Sequence, residues 1–187
     1  ITLIGLAGED SAVTRAVLGE DTLFDVCGHL VGDVPRIRNL GDIALILWAA
    51  WAANYPERDW LWEKLLSLRP ADNCYSTVEI AWTLSALCHD ADAPVGDLRV
   101  RLARRLVSCF NPETGIFPHV IGKENGSPRG HVACFADLVY PILALTHYFK
   151  LTNDRQAAET ARRCAEQVCA RQCGAGQWWW HYDYRTG

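Results

Sequence analysis

No methionine occurs in the 187 residues, not even at position 1, and the chain stops at Gly187 in a turn-like stretch. Both features predict a piece of a longer or processed protein. The opening "ITLIGLAGED" has no basic n-region and only a short apolar stretch, so it does not read as a secretion leader. Long apolar runs are missing as well. The longest, Ile43 to Ala53, covers 11 residues, against the ~20 that cross a bilayer. It predicts a buried core helix and no membrane span. An excess of one charge is also lacking: the net charge is −4, which gives no reason to expect a nucleic-acid partner.

No C-x-x-C pair and no H-E-x-x-H is present, so the usual metal and redox spacings are absent, and neither a metal nor another cofactor is expected. Eight cysteines are nonetheless there: Cys27, Cys74, Cys88, Cys109, Cys134, Cys164, Cys169 and Cys173. Most fall within helical patterns, where cysteine behaves as a small buried hydrophobe. They predict structural thiols, reducing surroundings and a cytoplasmic location.

What the chain does have is enough apolar residue, 50%, for one domain with a real core. Strand signals are scarce and helical periods dominate. Asn39 to Asn54 is apolar on nearly every side, as in a helix buried all round, and Pro56 ends it. "RDWLWEKLLSLRP" predicts a short amphipathic helix stopped before Pro70. Ser76 to His89 opens with an S-x-x-E capping box, Ser76 and Glu79. Gly96 to Phe110 carries one stripe, Leu98, Leu102, Leu106 and Phe110, with arginines elsewhere, and reads as a surface helix. His131 to Leu151 is again apolar all round. Asp154 to Gln172 is one-sided, with Asp154 as N-cap and Gly174 as stop. Buried helices therefore alternate with amphipathic ones.

That alternation hides a repeat. Glu79-Ile-Ala-Trp82 matches Asp137-Leu-Val-Tyr140, and Ala103-Arg-Arg105 matches Ala161-Arg-Arg163, both at an offset of 58. Gly115-Ile-Phe117 matches Gly176-Gln-Trp178 at 61. An earlier, shorter copy begins near Asp42. The units run over about 40–75, 76–130 and 131–187 of a single domain, 1–187. Each is a buried helix, a short turn, an amphipathic helix and a long loop. Hairpins of this kind bury their faces only by stacking. The expected fold is all-α, with helical hairpins stacked as a partial α/α toroid; an open solenoid is the rival.

Gln172-Cys-Gly-Ala-Gly176-Gln-Trp178 reads Q-x3-G-x-W and resembles the QW repeat of terpenoid cyclases, whose α/α toroids are shared with protein prenyltransferases. Six-hairpin glycosidases and sugar epimerases are similar in layout. The resemblance implies that Gln172 caps a helix and Trp178 packs on a neighbouring repeat, both as structural locks. The cyclase acid motif D-x-D-D does not occur in the chain.

Candidate chemistry lies at the starts of the buried helices and in the loops. Asp42, Glu79 and Asp137 sit early in apolar helices, where an acid can point into a central cavity or simply cap. Paired carboxylates across a cavity are what glycoside cleavage requires. Asp137 is placed deeper in its helix, and Pro141, four residues on, predicts a kink beside it. The loops add His119, Lys123, His131, His181 and Asp183 as proton-transfer or binding groups. In a strand-like stretch, His181 and Asp183 would share a face with Trp179, an arrangement suited to a sugar ring, while Trp178, Trp180, Tyr182 and Tyr184 face away. Asp137, Glu79, His181 and Asp183 are the catalytic candidates. Trp179, His119, His131, Tyr140 and Trp82 are the substrate-binding candidates. Residues 122–130 are long enough for a lid, and Asn125-Gly-Ser127 matches a glycosylation acceptor. The expected function is that of an α/α-toroid enzyme domain whose inner-face carboxylates do acid/base chemistry on a carbohydrate-like substrate, a small molecule or an oligosaccharide. The alternatives are isoprenoid binding of the cyclase or prenyltransferase kind and a noncatalytic helical scaffold.

Overall fold

The computed structural model describes residues 1–56, 59–91, 93, 95–122 and 130–187. Among them α-helices run over α1 (Thr2–Leu6), α2 (Ser11–Leu18), α3 (Leu23–Asp33), α4 (Leu40–Ala52), α5 (Asp59–Ser67), α6 (Thr77–His89), α7 (Leu98–Cys109), α8 (Ala136–Thr152) and α9 (Arg155–Ala170). A 3₁₀ turn, Val34–Arg36, joins α3 to α4. Four short strands complete the list: β1 (Tyr75–Ser76), β2 (Val120–Ile121), β3 (Val132–Cys134) and β4 (His181–Asp183).

Local chemistry sets these limits. Asn39 accepts the Asp42 N–H at 2.9 Å and starts α4. Ser76 and Glu79 form the expected capping box of α6. Asp154 accepts the N–H groups of Gln156 and Ala157 and starts α9. The N-terminal helices carry signals of the same kind, an Asp10 cap on α2 and a Thr22–Asp25 capping box on α3.

Burial follows the sequence pattern. α4 buries residues on every side, including Ile43, Leu47, Trp48 and Ala50. α7 buries only Leu98, Leu102, Ala103 and Leu106, and α9 only Ala157, Thr160, Ala161, Cys164 and Val168. α6 lies between α4 and α8, while α5, α7 and α9 back onto α4, α6 and α8. Three hairpins thus stack into an inner row and an outer row, a partial α/α toroid. The core runs between the rows, where each fully buried leucine, such as Leu47, Leu84 or Leu102, contributes roughly 1.5–3 kcal/mol. Among the described residues no helix is long and apolar enough to cross a membrane.

The repeat extends to the backbone pairing of the ribbons. Tyr75 pairs with Ile121 and Ser76 with Val120. Moving the first member of each pair by 58 and the second by 61 gives Ala133 with Tyr182 and Cys134 with His181, which are the pairs of the second ribbon. The Thr77 N–H donates to the His119 carbonyl at 2.9 Å, and its counterpart, Phe135, donates to Trp180 at 2.9 Å. Each long loop therefore returns to the start of its own inner helix as a two-stranded ribbon.

One boundary differs from the sequence reading. The helix expected from His131 begins at Ala136, because Val132–Cys134 pair with His181–Asp183 and commit the backbone groups that another helical turn would use. Asp137 consequently lies in the first turn of α8 and not deep within it. α8 continues through Pro141 as one helix. Lys123, Asn125 and most of the expected lid lie outside the described residues.

Candidate active site

The ribbons bring His119, Cys134 and Asp137 together at the N-terminal end of the inner helices. Asp137 is fully buried, and its Oδ2 accepts the Cys134 N–H at 2.8 Å. The same oxygen meets His119 Nδ1 at 2.9 Å. The His119 side chain is 47% exposed, so one edge of the imidazole is fixed from below while the ring remains open to solvent. A carboxylate oxygen accepts, so the contact calls for the His119 proton on Nδ1 and the lone pair on Nε2. Asp137 Oδ1 is buried with no hydrogen-bond partner.

These three residues also offer metal-ligand atoms within 4.8 Å of one another. Here the donors are spent differently. His119 and Asp137 engage each other, and burial, with the Asp137 carboxylate beside it, pushes the Cys134 thiol above its ordinary range. Without a cation the imidazole and the carboxylate hold each other; a bound cation would replace that contact and take the thiol as thiolate. The arrangement is an Asp–His pair with a thiol neighbour.

The other candidates spread around this pair. His181 is exposed and lies directly across from Cys134 in the ribbon, on the same face. Tyr182, one residue on, is buried, so the expected alternation holds over the strand. Asp183 spends Oδ1 on the turn N–H groups of Arg185 and Thr186. Trp179 and Trp180 are 66% and 65% exposed; both precede the strand, so the alternation expected to set them on opposite faces does not reach them. His131 is held through its carbonyl, which accepts the Tyr184 N–H at 2.7 Å. Trp82 and Tyr140, equivalent under the repeat, meet edge to face at 5.1 Å below the pair.

Glu79 is a cap. One oxygen takes the N–H and hydroxyl of Ser76, and the other accepts Asn39 Nδ2 at 3.0 Å. Oε2 accepts two hydrogen bonds and Oε1 one, so most of its accepting capacity goes into holding the starts of α4 and α6. Asp42 is exposed and lines an apolar cleft of about 270 Å³ with Ile1, Leu3, Ile37, Leu45 and Ile46, away from the His119–Asp137 pair. Gln172 and Trp178 act locally: Gln172 Nε2 donates to the Gly176 carbonyl at 2.7 Å, and the Trp178 indole donates to the Val168 carbonyl of α9 at 2.8 Å. Trp178 also lies against Phe135, ring to ring, at 5.6 Å.

Sequence reasoning named His119 and Asp137 separately and missed that they touch. It did not single out Cys134 for this site. Neither "GIFPHVI" nor "HVAC" alternates in polarity, so no local signal marked the strand pairing that carries both residues to one helix end.

No known family profile matches the chain, and no curated protein matches it. Among solved structures it is similar to one titled "Crystal structure of D-mannose isomerase", at a TM-score of 0.58 and 14% identity over 83% of this chain. The chain spans 45% of that protein's length. At this identity the likeness is one of fold, and it places the stacked hairpins among α/α structures.

Proposed function

We propose that this chain is the sugar-handling part of an α/α-toroid enzyme, with His119 as the proton-transfer group and Asp137 as the residue that positions it. The observation that carries the reading is the 2.9 Å contact between a sealed carboxylate and a half-exposed imidazole. A carboxylate in that place holds one tautomer and stabilises the imidazolium once His119 Nε2 has taken a proton. Isomerisation of an aldose through an enediol moves the proton of the carbon beside the carbonyl to the carbonyl carbon, while the hydroxyl proton of that neighbouring carbon passes to the former carbonyl oxygen. One imidazole, basic in one step and acidic in the next, can make the carbon-to-carbon transfer.

Two features favour isomerisation or epimerisation over glycoside cleavage. Cleavage calls for two available carboxyl groups, whereas Asp137 is sealed and Glu79 is committed to its cap. The structural neighbour is by title an isomerase of D-mannose. In this reading Trp179 and Trp180 offer aromatic faces to the apolar side of a sugar ring, and His181 stands by for a hydroxyl. Glu79 and Asp183 shape the site through the helix cap and the turn. In the same reading residues 1–187 form one repeat domain.

The test is incubation of the full-length protein with D-mannose and related aldoses in D₂O, with NMR detection of deuterium beside the carbonyl and of new ketose or epimer. Turnover is expected, and His119→Ala should lower it by about 10²–10⁴-fold. Undiminished turnover in His119→Ala, or no exchange with any monosaccharide, overturns the reading.

A further inference from the structure

The repeat places one more pair of side chains in register. His89 and His147 stand 58 residues apart, ten residues beyond Glu79 and Asp137. They lie near the C-terminal ends of α6 and α8, at the opposite end of the inner row from His119. Their ring centroids are 4.8 Å apart and their planes stand at 75°. Trp48 of α4 stacks on His89 at 4.9 Å and meets His147 edge-on at 5.8 Å. Trp51 closes on His89 at 5.7 Å. His89 Nε2 and His147 Nδ1 are both buried with no hydrogen-bond partner among the described residues.

A neutral imidazole needs one donor and one acceptor, whereas an imidazolium needs two acceptors and a counter-charge. Two indoles and a second imidazole supply neither. Of the charged and titratable groups nearby, the Lys150 ammonium of α8 works against a charge on His147, Cys88 and Asp90 flank His89 in sequence at the end of α6, and Arg99 of α7 donates to the Leu87 and Asp90 carbonyls. The α4 side presents Trp48 and Trp51, with only alanine between them. Burial lowers both histidines from the ordinary value; for His147 burial, then His89, then Lys150 bring it down to about 4.

We propose that His89 and His147 form an acid-sensitive latch: while neutral they let α4, α6 and α8 close at the short-turn end, and protonation of either ring drives that end open. An opened end titrates near the ordinary value of about 6.5. Protons therefore bind the open form preferentially. The closed form has its full advantage above about pH 6.5 and loses it as the pH falls toward about 4. At pH 5 those two values give about a 30-fold shift toward the open form; partial exposure of the rings screens this to roughly tenfold.

Hydrogen exchange of the full chain, corrected for intrinsic rates, tests this at pH 7.5 and pH 5. Segments 84–91 and 143–151 should lose roughly tenfold in protection while α9 changes little. His29→Gln, on the exposed face of α3, should behave as the wild type. In His89→Gln/His147→Gln the loss should fall below about twofold. The same acid opening in the double variant overturns the latch. So does an NMR titration of the wild-type imidazoles in which both rings protonate at or above pH 6.5, a result that needs no variant to fold.

Discussion

Removing Asp137 and removing His119 should have very different effects, and the contrast separates a functional pair from a structural one. Asp137→Ala takes away the acidic group in the first turn of α8, worth about 0.3–1 kcal/mol. It also orphans the buried Cys134 N–H, at about 1–3 kcal/mol. Loss of the His119 contact adds under about 1 kcal/mol, because the imidazole side is 47% exposed. Relief of the unpartnered Oδ1 offsets part of this. The expected net cost is about 2–3 kcal/mol, or a melting point about 5–10 °C lower for a chain of this size. His119→Ala leaves the Cys134 N–H satisfied and should cost under about 1 kcal/mol. Urea denaturation followed by circular dichroism measures both, and a double-mutant cycle gives their coupling. Equal destabilisation by the two variants would refute the reasoning, since His119 would then be a structural strut and not an outward-facing group held for chemistry.

Three further outcomes follow from the same geometry. Gly115 has φ +70° and a Cβ there would lie 2.2 Å from Gln167 Cγ, whereas Gly176 has φ +83° with no atom nearer than 3.9 Å. Gly115→Ala should therefore cost about 2–3 kcal/mol and Gly176→Ala about 1 kcal/mol in chemical denaturation; the reverse order would show that the tight turn is not where the strain lies. Burial pushes the Cys88, Cys109 and Cys164 thiols up to about 12, while Cys74 and Cys169 are exposed. A thiol reagent at pH 8 should label the exposed pair at least tenfold faster than the buried three, with equal rates only after unfolding. Trp178→Phe removes the indole bond to the Val168 carbonyl and should cost about 1 kcal/mol, while Trp179→Ala, 66% exposed, should leave stability within about 0.5 kcal/mol and weaken only sugar binding in calorimetry.

The helical rows were legible because burial writes directly into the sequence. α4 is apolar on every side, α7 and α9 are apolar on one, and Ser76 with Glu79 announces where α6 begins. The repeat was legible for the same reason, since Glu79-Ile-Ala-Trp82 and Asp137-Leu-Val-Tyr140 answer the same packing demands. The short ribbons were not. Val132-Ala-Cys134 is as apolar as the helix it precedes, and only pairing with a segment almost fifty residues away makes it a strand. That error moved the start of α8 and with it the depth assigned to Asp137. The His119–Asp137 contact was hidden behind the same long-range pairing. His89 over His147 could have been found, because the 58-residue offset alone predicts it.

The repeat also shows how one scaffold position comes to serve either structure or chemistry. In the first copy Ser76 donates its hydroxyl to Glu79 Oε2 at 2.8 Å and accepts the Glu79 N–H, so the acid folds back on its own helix. In the second copy a thiol replaces the hydroxyl and an aspartate the glutamate. A thiol is a weak donor and acceptor, and the shorter acid reaches the Cys134 N–H but leaves room at Oδ2 for His119. Cys134→Ser should restore the missing cap: stability should rise by about 0.5–1 kcal/mol, while the new hydroxyl competes with His119 for Oδ2. If Asp137 positions His119 for proton transfer, the variant should be more stable and about tenfold slower. A variant that is more stable with unchanged turnover, and with the serine hydroxyl seen on Oδ2, would mean that His119 does not depend on Asp137 and that the two copies differ only in how they cap a helix.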